Sequence, residues 1–308
     1  MMIKFQPELP RQVAIIGAGF AGLSAAAVLE RNNIDYVVYE GANRVGGRVY
    51  SVPYGMLALL NFADWDDGGS EPRSFTLKKK GFRDILEDIK VKVPENRIKL
   101  NSVVTKITYS ENRVTLCLSN GEEYHYDYVI VTCPLGFLKR NYSSFFSPPL
   151  ETRKADAILS LGFGNMMKVF LEYTRPWWPQ DANAIAPLDS HSPLAESFPM
   201  LQPLYWNKKI LVAWVSGKGP QLISKLSDEE LVEGLTHHLR EALGDPLIPL
   251  PVKIFRHSWI TDPLVGGSYS YLTPDSVKYV PDAFVRMAEP IIIEDKYVIS
   301  SHTIILFS

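Results

Sequence analysis

The segment Gly17–Gly22 has the residue types and spacing of a phosphate-binding turn. In this G-x-G-x-x-G pattern, Gly17 allows a tight turn, Gly19 lets the backbone approach a pyrophosphate, and Gly22 lets a helix pack close to a strand. The free N–H groups at the start of that helix then face the anion. We therefore predict a dinucleotide here. The residues assigned to it are Gly17, Ala18, Gly19, Ala21 and Gly22.

An acidic residue and a second glycine-containing turn follow. Glu40 lies 18 residues after Gly22, where a carboxylate accepts hydrogen bonds from ribose hydroxyls and repels a 2′-phosphate, which disfavours NADP. Arg44, Gly47 and Arg48 then form an E-x-x-x-R-x-G-G-R pattern with Glu40. The planar guanidinium binds phosphate oxygens in pairs, so this turn is predicted to face phosphate. The alternatives are a glycine-rich turn without a ligand and a solvated basic turn.

The elements that position these residues form a βαβ unit. An apolar strand at 12–16, a helix at 22–31 rich in Ala and Leu, and a second strand at 36–40 follow one another, with a right-handed crossover expected. Strands at 103–109, 114–118 and 123–126, with turns at Asn112 and Asn120-Gly121, predict an antiparallel layer that returns to the parallel sheet through a strand at 128–132.

The second half of the chain has two predicted strands and one strong helix. The strands lie at 167–173 and 210–215, and the Pro- and Trp-rich segment 175–207 between them is interpreted as a loop-rich wall. The helix spans 227–244, with Ser227 as N-cap, Glu230 completing a capping box, and Gly244 as the stop. The leucines expected in its buried face are Leu231, Leu235, Leu239 and Leu243.

Composition and charge exclude several classes of protein. With 46% apolar and 21% charged residues the chain is globular, and a net charge of −2 gives no basic surplus for a nucleic-acid partner. The uncharged run Val13–Leu29 is too short for a membrane span, so no membrane association is expected. Cys117 and Cys133 form no C-x-x-C pair, which favours a reducing compartment over a disulfide. Neither His237, His238 nor His257 has metal-ligand spacing, so no metal is predicted.

Together with the two glycine turns, four further segments resemble the flavin-containing amine oxidase family, and within it the polyamine oxidases. Leu100–Ile107 is similar to the segment whose backbone contacts the adenine end, with Val104 matching the valine there. Asp127–Gly136 is similar to the strand that returns beneath the cofactor, and Gly162–Leu171 to a strand that bears a lysine. Trp259–Pro263 followed by Gly267–Tyr271 is a highly characteristic pair.

The resemblance implies the cofactor FAD and an α/β fold, in which a Rossmann-like FAD-binding domain accompanies a mixed-sheet substrate domain. The FAD-binding domain is expected over 1–56, 57–150 and, truncated, 271–308, with the substrate domain over 151–270. Lys168, Trp259 and Tyr271 are the implied catalytic residues: Lys168 reaches a water beside flavin N5, Trp259 lies against the isoalloxazine, and Tyr271 belongs to the substrate wall. By itself, a lysine at such a position is more often a surface residue.

The implied activity is oxidation of secondary amines in polyamines such as spermine, spermidine or their acetylated forms, within polyamine catabolism. The carbon beside the nitrogen gives a hydride to the flavin, water hydrolyses the resulting imine, and dioxygen is converted into hydrogen peroxide. Two alternatives stay open: a FAD-binding relative or fragment without turnover, and another subclass such as a monoamine oxidase or a histone demethylase. The oligomeric state is not predicted.

The resemblance breaks in two places. After Arg48 the chain passes from Tyr54-Gly55 almost at once to Trp65-Asp66-Asp67 and then Gly81, which indicates an internal deletion of part of the substrate domain near 55–57. At the C-terminus, 296–303 has no glutamate where the family carries a G-E-x-T turn, which indicates truncation. A cytoplasmic location is expected; a full-length form in peroxisomes is possible, although 304–308 is not an S-K-L address.

Overall fold

The chain divides into two compact units, each with its own sheets. The computed structural model describes residues 12–52, 57–58, 82–110, 113–187, 192, 194–204, 207–293 and 296–300. The first unit comprises the described residues up to Gly162 and from Leu272 onward, and the second comprises those of Phe163–Tyr271. The boundary near 162 follows helix Thr152–Ser160, which the sequence assigned to the substrate domain.

The first unit is built on a six-stranded sheet. Its strands are β1 (Gln12–Ile16), β2 (Asp35–Tyr39), β5 (Ile98–Lys99), β9 (Tyr128–Val131), β17 (Ile291–Ile293) and β18 (Lys296–Ser300). Their order across the sheet is β17-β18-β9-β1-β2-β5, and all neighbours pair in parallel except β17, which is antiparallel to β18. Strands β1, β2 and β9 agree with the predicted strands to within one residue.

A second sheet of this unit has the order β10-β6-β7-β8, with antiparallel pairing from β6 to β8 and parallel pairing of β10 with β6. This confirms the predicted antiparallel layer, and Asn112 lies outside the described residues. The strands are β6 (Val104–Tyr109), β7 (Val114–Leu118), β8 (Glu123–Tyr126) and β10 (Phe146–Ser147), and a separate antiparallel pair is β3 (Ser51–Val52) with β4 (Leu57–Ala58).

Six helices belong to the described part of the first unit. They are α1 (Phe20–Arg31), α2 (Phe82–Lys90), α3 (Leu135–Phe145), α4 (Thr152–Ser160), α7 (Pro274–Tyr279) and α8 (Ala283–Ala288), with a short 3₁₀ turn at Glu95–Arg97. Helix α1 packs on the sheet because its small residues, such as Ala26, permit close approach to the buried side chains of Ile15 and Val38. The face of β1 that carries Val13 and Ile15 therefore belongs to the apolar core of the βαβ unit.

The second unit contains an antiparallel sheet of order β13-β14-β12-β15 and the pair β11-β16. Its strands are β11 (Gly162–Gly164), β12 (Met166–Glu172), β13 (Leu201–Pro203), β14 (Ile210–Ser216), β15 (Lys253–Arg256) and β16 (Tyr269–Tyr271), and its helices are α5 (Gly219–Ile223) and α6 (Asp228–Leu243), with a 3₁₀ turn at Ala195–Ser197. Strand β13 lies inside the segment that the sequence assigned to loops.

Helix α6 has the predicted caps but buries three of its four leucines. Ser227 and Glu230 form the capping box, and Gly244 closes the helix in the left-handed conformation with φ of 64°. Leu231, Leu235 and Leu239 are buried against the sheet, whereas Leu243 is 39% exposed, which corrects the prediction. Each step of four residues rotates the side chain by about 40° around the helix axis, so the fourth leucine has turned away from the sheet.

Removal of the α6 cap gives a testable stability change. Ser227 Oγ accepts a hydrogen bond from Glu230 N at 3.1 Å, and Glu230 Oε2 accepts one from Ser227 N at 2.7 Å. Ser227→Ala removes the first of these, so we expect a loss of about 1 kcal/mol in unfolding free energy, measured by urea denaturation. Glu229→Gln, an exposed change in the same turn outside the box, is the matched control. Equal stability of both variants would contradict the prediction.

Within the described residues, no helix is both long and apolar enough to cross a membrane.

Candidate functional site

The first glycine turn joins the end of β1 to the start of α1. Gly17 has φ of +106°, and its N–H donates to the Tyr39 carbonyl at 2.8 Å, which ties the turn to β2. Gly19 is the N-cap residue of α1 in an extended conformation, and no side chain caps the helix. The first turn of α1 also contains no acidic residue. Its N–H groups are therefore available to an anion such as a phosphate.

Close packing explains why this turn requires glycine at its ends. A Cβ atom on Gly22 would lie 1.8 Å from the Gly17 carbonyl oxygen, and one on Gly17 would lie 2.6 Å from Thr132 Oγ1. Ala18, which the sequence assigned to the cofactor, is fully buried, and Ala21 is partly buried in the first turn of α1. The three segments β1, α1 and β9 thus meet at the turn.

Glu40 connects the two glycine turns through the backbone. Its carboxylate is 8% exposed; Oε2 accepts a hydrogen bond from Ala18 N at 2.7 Å, and Oε1 accepts one from Ala42 N at 2.8 Å. Each carboxylate oxygen has a second acceptor site, so the predicted contact with a ribose hydroxyl stays compatible with this arrangement. Burial and the Glu40 charge raise the pKa of the nearby Cys133 thiol to about 12, so that thiol is protonated at neutral pH.

Replacement of Glu40 by glutamine tests this backbone connection. In Glu40→Gln one oxygen becomes an NH₂ group, so either Ala18 N or Ala42 N faces a donor and loses its acceptor. We expect the unfolding free energy to fall by about 1–3 kcal/mol in urea denaturation, since a buried donor is left unsatisfied. Glu30→Gln is the control, because an amide oxygen still accepts from Tyr36 OH. A Glu40→Gln chain as stable as the control would show that these bonds contribute little.

The second glycine turn packs directly on the first. Gly46 and Gly47 have φ of +106° and +54°, and Gly46 N donates to the Ala18 carbonyl at 2.8 Å. A Cβ on Gly47 would lie 3.4 Å from Gly19 Cα, and one on Gly19 would lie 4.0 Å from Gly47 Cα. Backbone therefore faces backbone, which leaves a cradle without side chains beside the N-terminus of α1. A dinucleotide pyrophosphate fits this cradle.

The two arginines of the second turn differ in their surroundings. Arg44 donates to the carbonyls of Gly47 at 2.8 Å and Val45 at 3.1 Å, and its guanidinium lies 4.4 Å from the centre of the Tyr50 ring. Arg44 thus holds the turn together. Arg48 is partly buried, and burial lowers the pKa of its guanidinium. The phosphate contacts of Arg44 and Arg48 stay predictions.

Val104, predicted to contact the adenine, lies in the second sheet of the first unit. Val104 begins β6 and is 5% exposed, and its contact with an adenine stays a prediction.

A cavity of about 540 Å³ lies between the second turn and α2, where it is lined by Arg44, Arg83 and Lys90 among others. Arg83 and Lys90 already pair with Glu87 and Glu95, both at 3.8 Å. These cations are engaged, so we assign no ligand to this cavity.

Lys168 lies in the second unit on β12, whose other residues are apolar apart from the terminal Glu172. Met167, Val169 and Leu171 of β12 point into the hydrophobic core, so Lys168 occupies the opposite face of the sheet. It is 6% exposed, and burial lowers the pKa of its ammonium group to about 7. None of the described residues forms a salt bridge with it. A buried lysine of this kind is a candidate for proton chemistry.

The sequence did not single out Trp214, which contacts Lys168, or Gln202, which contacts Trp214. Trp214 is its cross-strand partner on β14, and the Lys168 Nζ lies 4.3 Å from the centre of the Trp214 ring. The indole Nε1 donates to Gln202 Oε1 at 2.9 Å. The pairing register of β12 with β14 places Trp214 opposite Lys168, and the sequence analysis did not predict this register.

The other two predicted catalytic residues lie near the β11-β16 pair. Trp259 is buried, its ring centre is 4.1 Å from that of His257, and its carbonyl accepts from Gly267 N at 3.0 Å. Tyr271 ends β16 and is 45% exposed, with its ring centre 6.0 Å from that of Tyr269. The roles of Trp259 and Tyr271 at a flavin stay predictions, as does the role of Lys168.

Among the described residues, no group of three or more His, Cys, Asp or Glu side chains is arranged to hold a metal ion. His237 is exposed and His238 is fully buried within the helix they share. The residues Tyr54-Gly55, Trp65-Asp66-Asp67 and Gly81, on which the predicted deletion depends, lie outside the described residues, as do 301–303 of the predicted truncation.

Comparison with protein families gives two matches. The family of flavin containing amine oxidoreductases matches residues 53–304, and that of NAD(P)-binding Rossmann-like domains matches residues 15–63. These matches confirm the predicted family and the Rossmann-like domain. The cofactor of this family is FAD, as predicted, and the glycine cradle described above fits the dinucleotide part of it.

Individual relatives are polyamine oxidases by name. The chain is 35% identical over 187 residues to a peroxisomal N(1)-acetyl-spermine/spermidine oxidase of Bos taurus, which covers 56% of this chain and 36% of that protein. It is 30% identical over 278 residues to probable polyamine oxidase 5 of Arabidopsis thaliana, covering 76% of this chain and 49% of that protein. The chain thus spans less than half the length of these two relatives.

A solved structure confirms the fold class. A redesigned putrescine oxidase, a triple mutant, superimposes with a TM-score of 0.64 at 16% identity, covering 94% of this chain and 93% of that one. The predicted α/β amine oxidase fold is therefore correct.

Proposed function

Because the chain belongs to the family of flavin containing amine oxidoreductases, we propose that it binds FAD and oxidises the secondary amines of polyamines, with dioxygen as the electron acceptor. The observation that carries this proposal is the buried Lys168, whose ammonium has no carboxylate partner among the described residues. An uncompensated buried charge is costly, and such groups concentrate at functional sites. The names of the relatives supply the substrate class.

In this proposal the first unit binds the cofactor. The N–H groups at the start of α1 bind the pyrophosphate, and the backbones of Gly19 and Gly47 allow it to approach closely. The Glu40 carboxylate accepts hydrogen bonds from a ribose hydroxyl while it keeps its bonds to Ala18 and Ala42. When bound, FAD supplies the oxidation itself, accepting a hydride from the carbon beside the amine nitrogen and passing electrons to dioxygen, which yields hydrogen peroxide.

Lys168 supplies proton handling in the second unit. With its pKa near 7, its amino group is uncharged in a large fraction of molecules at neutral pH, so Nζ has a lone pair that accepts a hydrogen bond or a proton from water. Nζ thereby holds a water that takes the proton of the substrate ammonium before the amine is oxidised and that later hydrolyses the product imine. In this proposal Trp259 packs against the flavin, and Tyr271 forms part of the wall that faces the substrate.

The visible absorption spectrum of the purified chain tests the proposal, recorded before and after anaerobic addition of spermine or N1-acetylspermine. We expect a flavin spectrum that bleaches with the polyamine and recovers on admission of air, with release of hydrogen peroxide. Dithionite serves as the positive control for reducible flavin. Benzylamine and a methylated lysine peptide test the monoamine oxidase and demethylase alternatives, and neither is expected to bleach the flavin.

Two outcomes would contradict the proposal. A flavin that dithionite reduces but polyamines do not reduce would identify a FAD-binding relative without turnover. A chain without flavin, even after incubation with FAD, would show that residues beyond the described cradle are required for binding.

A further inference from the structure

Within the part of the chain that the structure describes, the ammonium group of Lys168 contacts the aromatic ring of Trp214. Its Nζ lies 4.3 Å from the centre of the Trp214 ring, at the distance of a cation–π interaction. The two residues are directly opposite each other on β12 and β14, so their side chains project from the same face of the sheet. The neighbouring residues on that face of β12 and β15 are Phe170 and Phe255, with ring centres 6.3 Å apart.

Trp214 itself is fixed by a hydrogen bond to a third strand. Its Nε1 donates to Gln202 Oε1 at 2.9 Å, and Gln202 lies on β13, which pairs with β14 through Leu201 and Ala213. The edge of the indole is therefore hydrogen-bonded to β13, while its ring face contacts Lys168 on β12. This leaves the ring little freedom to rotate away from Lys168.

The charged groups on the strands beside Lys168 do not compensate its ammonium. Strands β13 and β14 carry no ionisable side chain. On β15, Arg256 is on the core face, where it binds Asp228 at 2.8 Å. Glu172 lies on the same face of β12 as Lys168, four residues further along, and Lys253 is opposite Glu172 in the strand register. Burial is the single cause of the lowered pKa of Lys168, so none of these charges offsets it. The ring face of Trp214 is thus the one described partner for the ammonium form.

We propose that Trp214, fixed by Gln202, is a positioning residue that holds the amino group of Lys168 in place for the oxidation proposed above. The inference rests on that proposed function. A lysine side chain has four flexible carbon–carbon bonds, and without a partner its amino group has no defined place on this face of the sheet. The cation–π contact selects one place and also favours the protonated state, against the effect of burial.

Fluorinated tryptophan tests the contact without a change of shape. The chain as purified with its flavin is produced with tetrafluorotryptophan, which weakens the negative potential of the ring face, and the pKa of Lys168 is followed by NMR of ¹³C-labelled lysine. The Lys168 signal is assigned by its loss in Lys168→Met. We expect the pKa of Lys168 to fall by about one unit relative to the unsubstituted protein.

A matched control isolates Trp214 from the other five of the six tryptophans. In Trp214→Phe, a ring face remains, and fluorination of the other tryptophans is expected to leave the Lys168 pKa unchanged. If the pKa moves by less than about 0.2 unit on fluorination of the protein that retains Trp214, the proposal is overturned. An equal shift in the Trp214→Phe background overturns it as well.

Flavin reduction by N1-acetylspermine separates this proposal from the proposed function. At a pH well above the pKa of Lys168, where its amino group is uncharged, Trp214→Leu is expected to slow reduction by about tenfold because the amino group loses the ring that positions it. Trp214→Phe keeps an aromatic ring at this place and is expected to restore most of the rate. Equal rates in the leucine and phenylalanine variants would overturn the positioning role. The two proposals can also fail separately. If fluorination shifts the pKa of Lys168 but polyamines do not reduce the flavin, the contact between Trp214 and Lys168 is upheld and the proposed polyamine oxidation is rejected.

Discussion

Gly19→Val is expected to yield a folded chain that no longer retains FAD. The Gly19 backbone is extended, which valine adopts without strain, and the nearest heavy atom to a Cβ at this position is Gly47 Cα at 4.0 Å. The valine side chain therefore occupies space that the fold leaves empty and that a pyrophosphate requires. We expect FAD affinity to fall by at least about 100-fold, or about 2.8 kcal/mol.

The flavin-to-protein ratio after purification, followed by titration with FAD, measures this effect. Unfolding by urea shows whether the variant keeps its stability. Gly234→Ala is the control. Gly234 lies in helix α6 of the second unit, and a Cβ there would contact only the end of the flexible Leu194 side chain, at 3.0 Å. Full flavin content in the Gly19→Val protein would mean that the cofactor lies elsewhere.

Lys168→Met is expected to slow reduction of the flavin by polyamines by about 100-fold while FAD content stays unchanged, because the loss of one acid–base group costs about 10²-fold or more. In the unmodified protein the rate is expected to rise with pH through about 7, the pKa of Lys168, and the variant is expected to lose this inflection. Stopped-flow absorbance under anaerobic conditions gives both results. Lys209→Met, at an exposed lysine of the same unit, is expected to have no effect.

The same variant is expected to be more stable than the parent protein near neutral pH. Burial places the pKa of Lys168 near 7, below the ordinary value of 10.5 that applies in the unfolded chain. Between these values the unfolded chain binds an extra proton, so the stability of the parent protein rises with pH over this window. The advantage of Lys168→Met should be largest below pH 7 and vanish above about 10.5. A gain in stability with a loss of rate would exclude misfolding as the cause of slow reduction.

The sequence predicted those elements whose signals are local. Strand β1, helix α1 and helix α6 carry their own turn and cap residues, such as Gly17 and Ser227, so their limits are readable from a few neighbouring positions. Strand β13 is three residues long and ends in Pro203, and it exists because it pairs with β14. Such a strand has no local signal, and the segment around it was therefore assigned to loops.

The kind of ligand at the site was predictable from the sequence, but the hydrogen bonds that connect its residues were not. The residue types of both glycine turns predicted a dinucleotide, yet the hydrogen bond from Gly46 to Ala18 and the use of Arg44 within its own turn depend on three-dimensional packing. Similarly, Lys168 was recognised through the resemblance, whereas Trp214 and Gln202 required the register of three strands.

The hydrogen bonds between the two glycine turns mean that the predicted dinucleotide-binding segment cannot be cut after Glu40 without loss of internal contacts. A βαβ segment that ends at Glu40 would carry the G-x-G-x-x-G pattern, but the Ala18 carbonyl would lose its donor Gly46 N, and Glu40 would lose its bond from Ala42 N. The turn closes only at Val49, whose N–H donates to Gly46 at 3.0 Å. A graft into another α/β scaffold therefore needs the continuous stretch from Gln12 to Val49, and recombination between the two glycine motifs would split a single functional part.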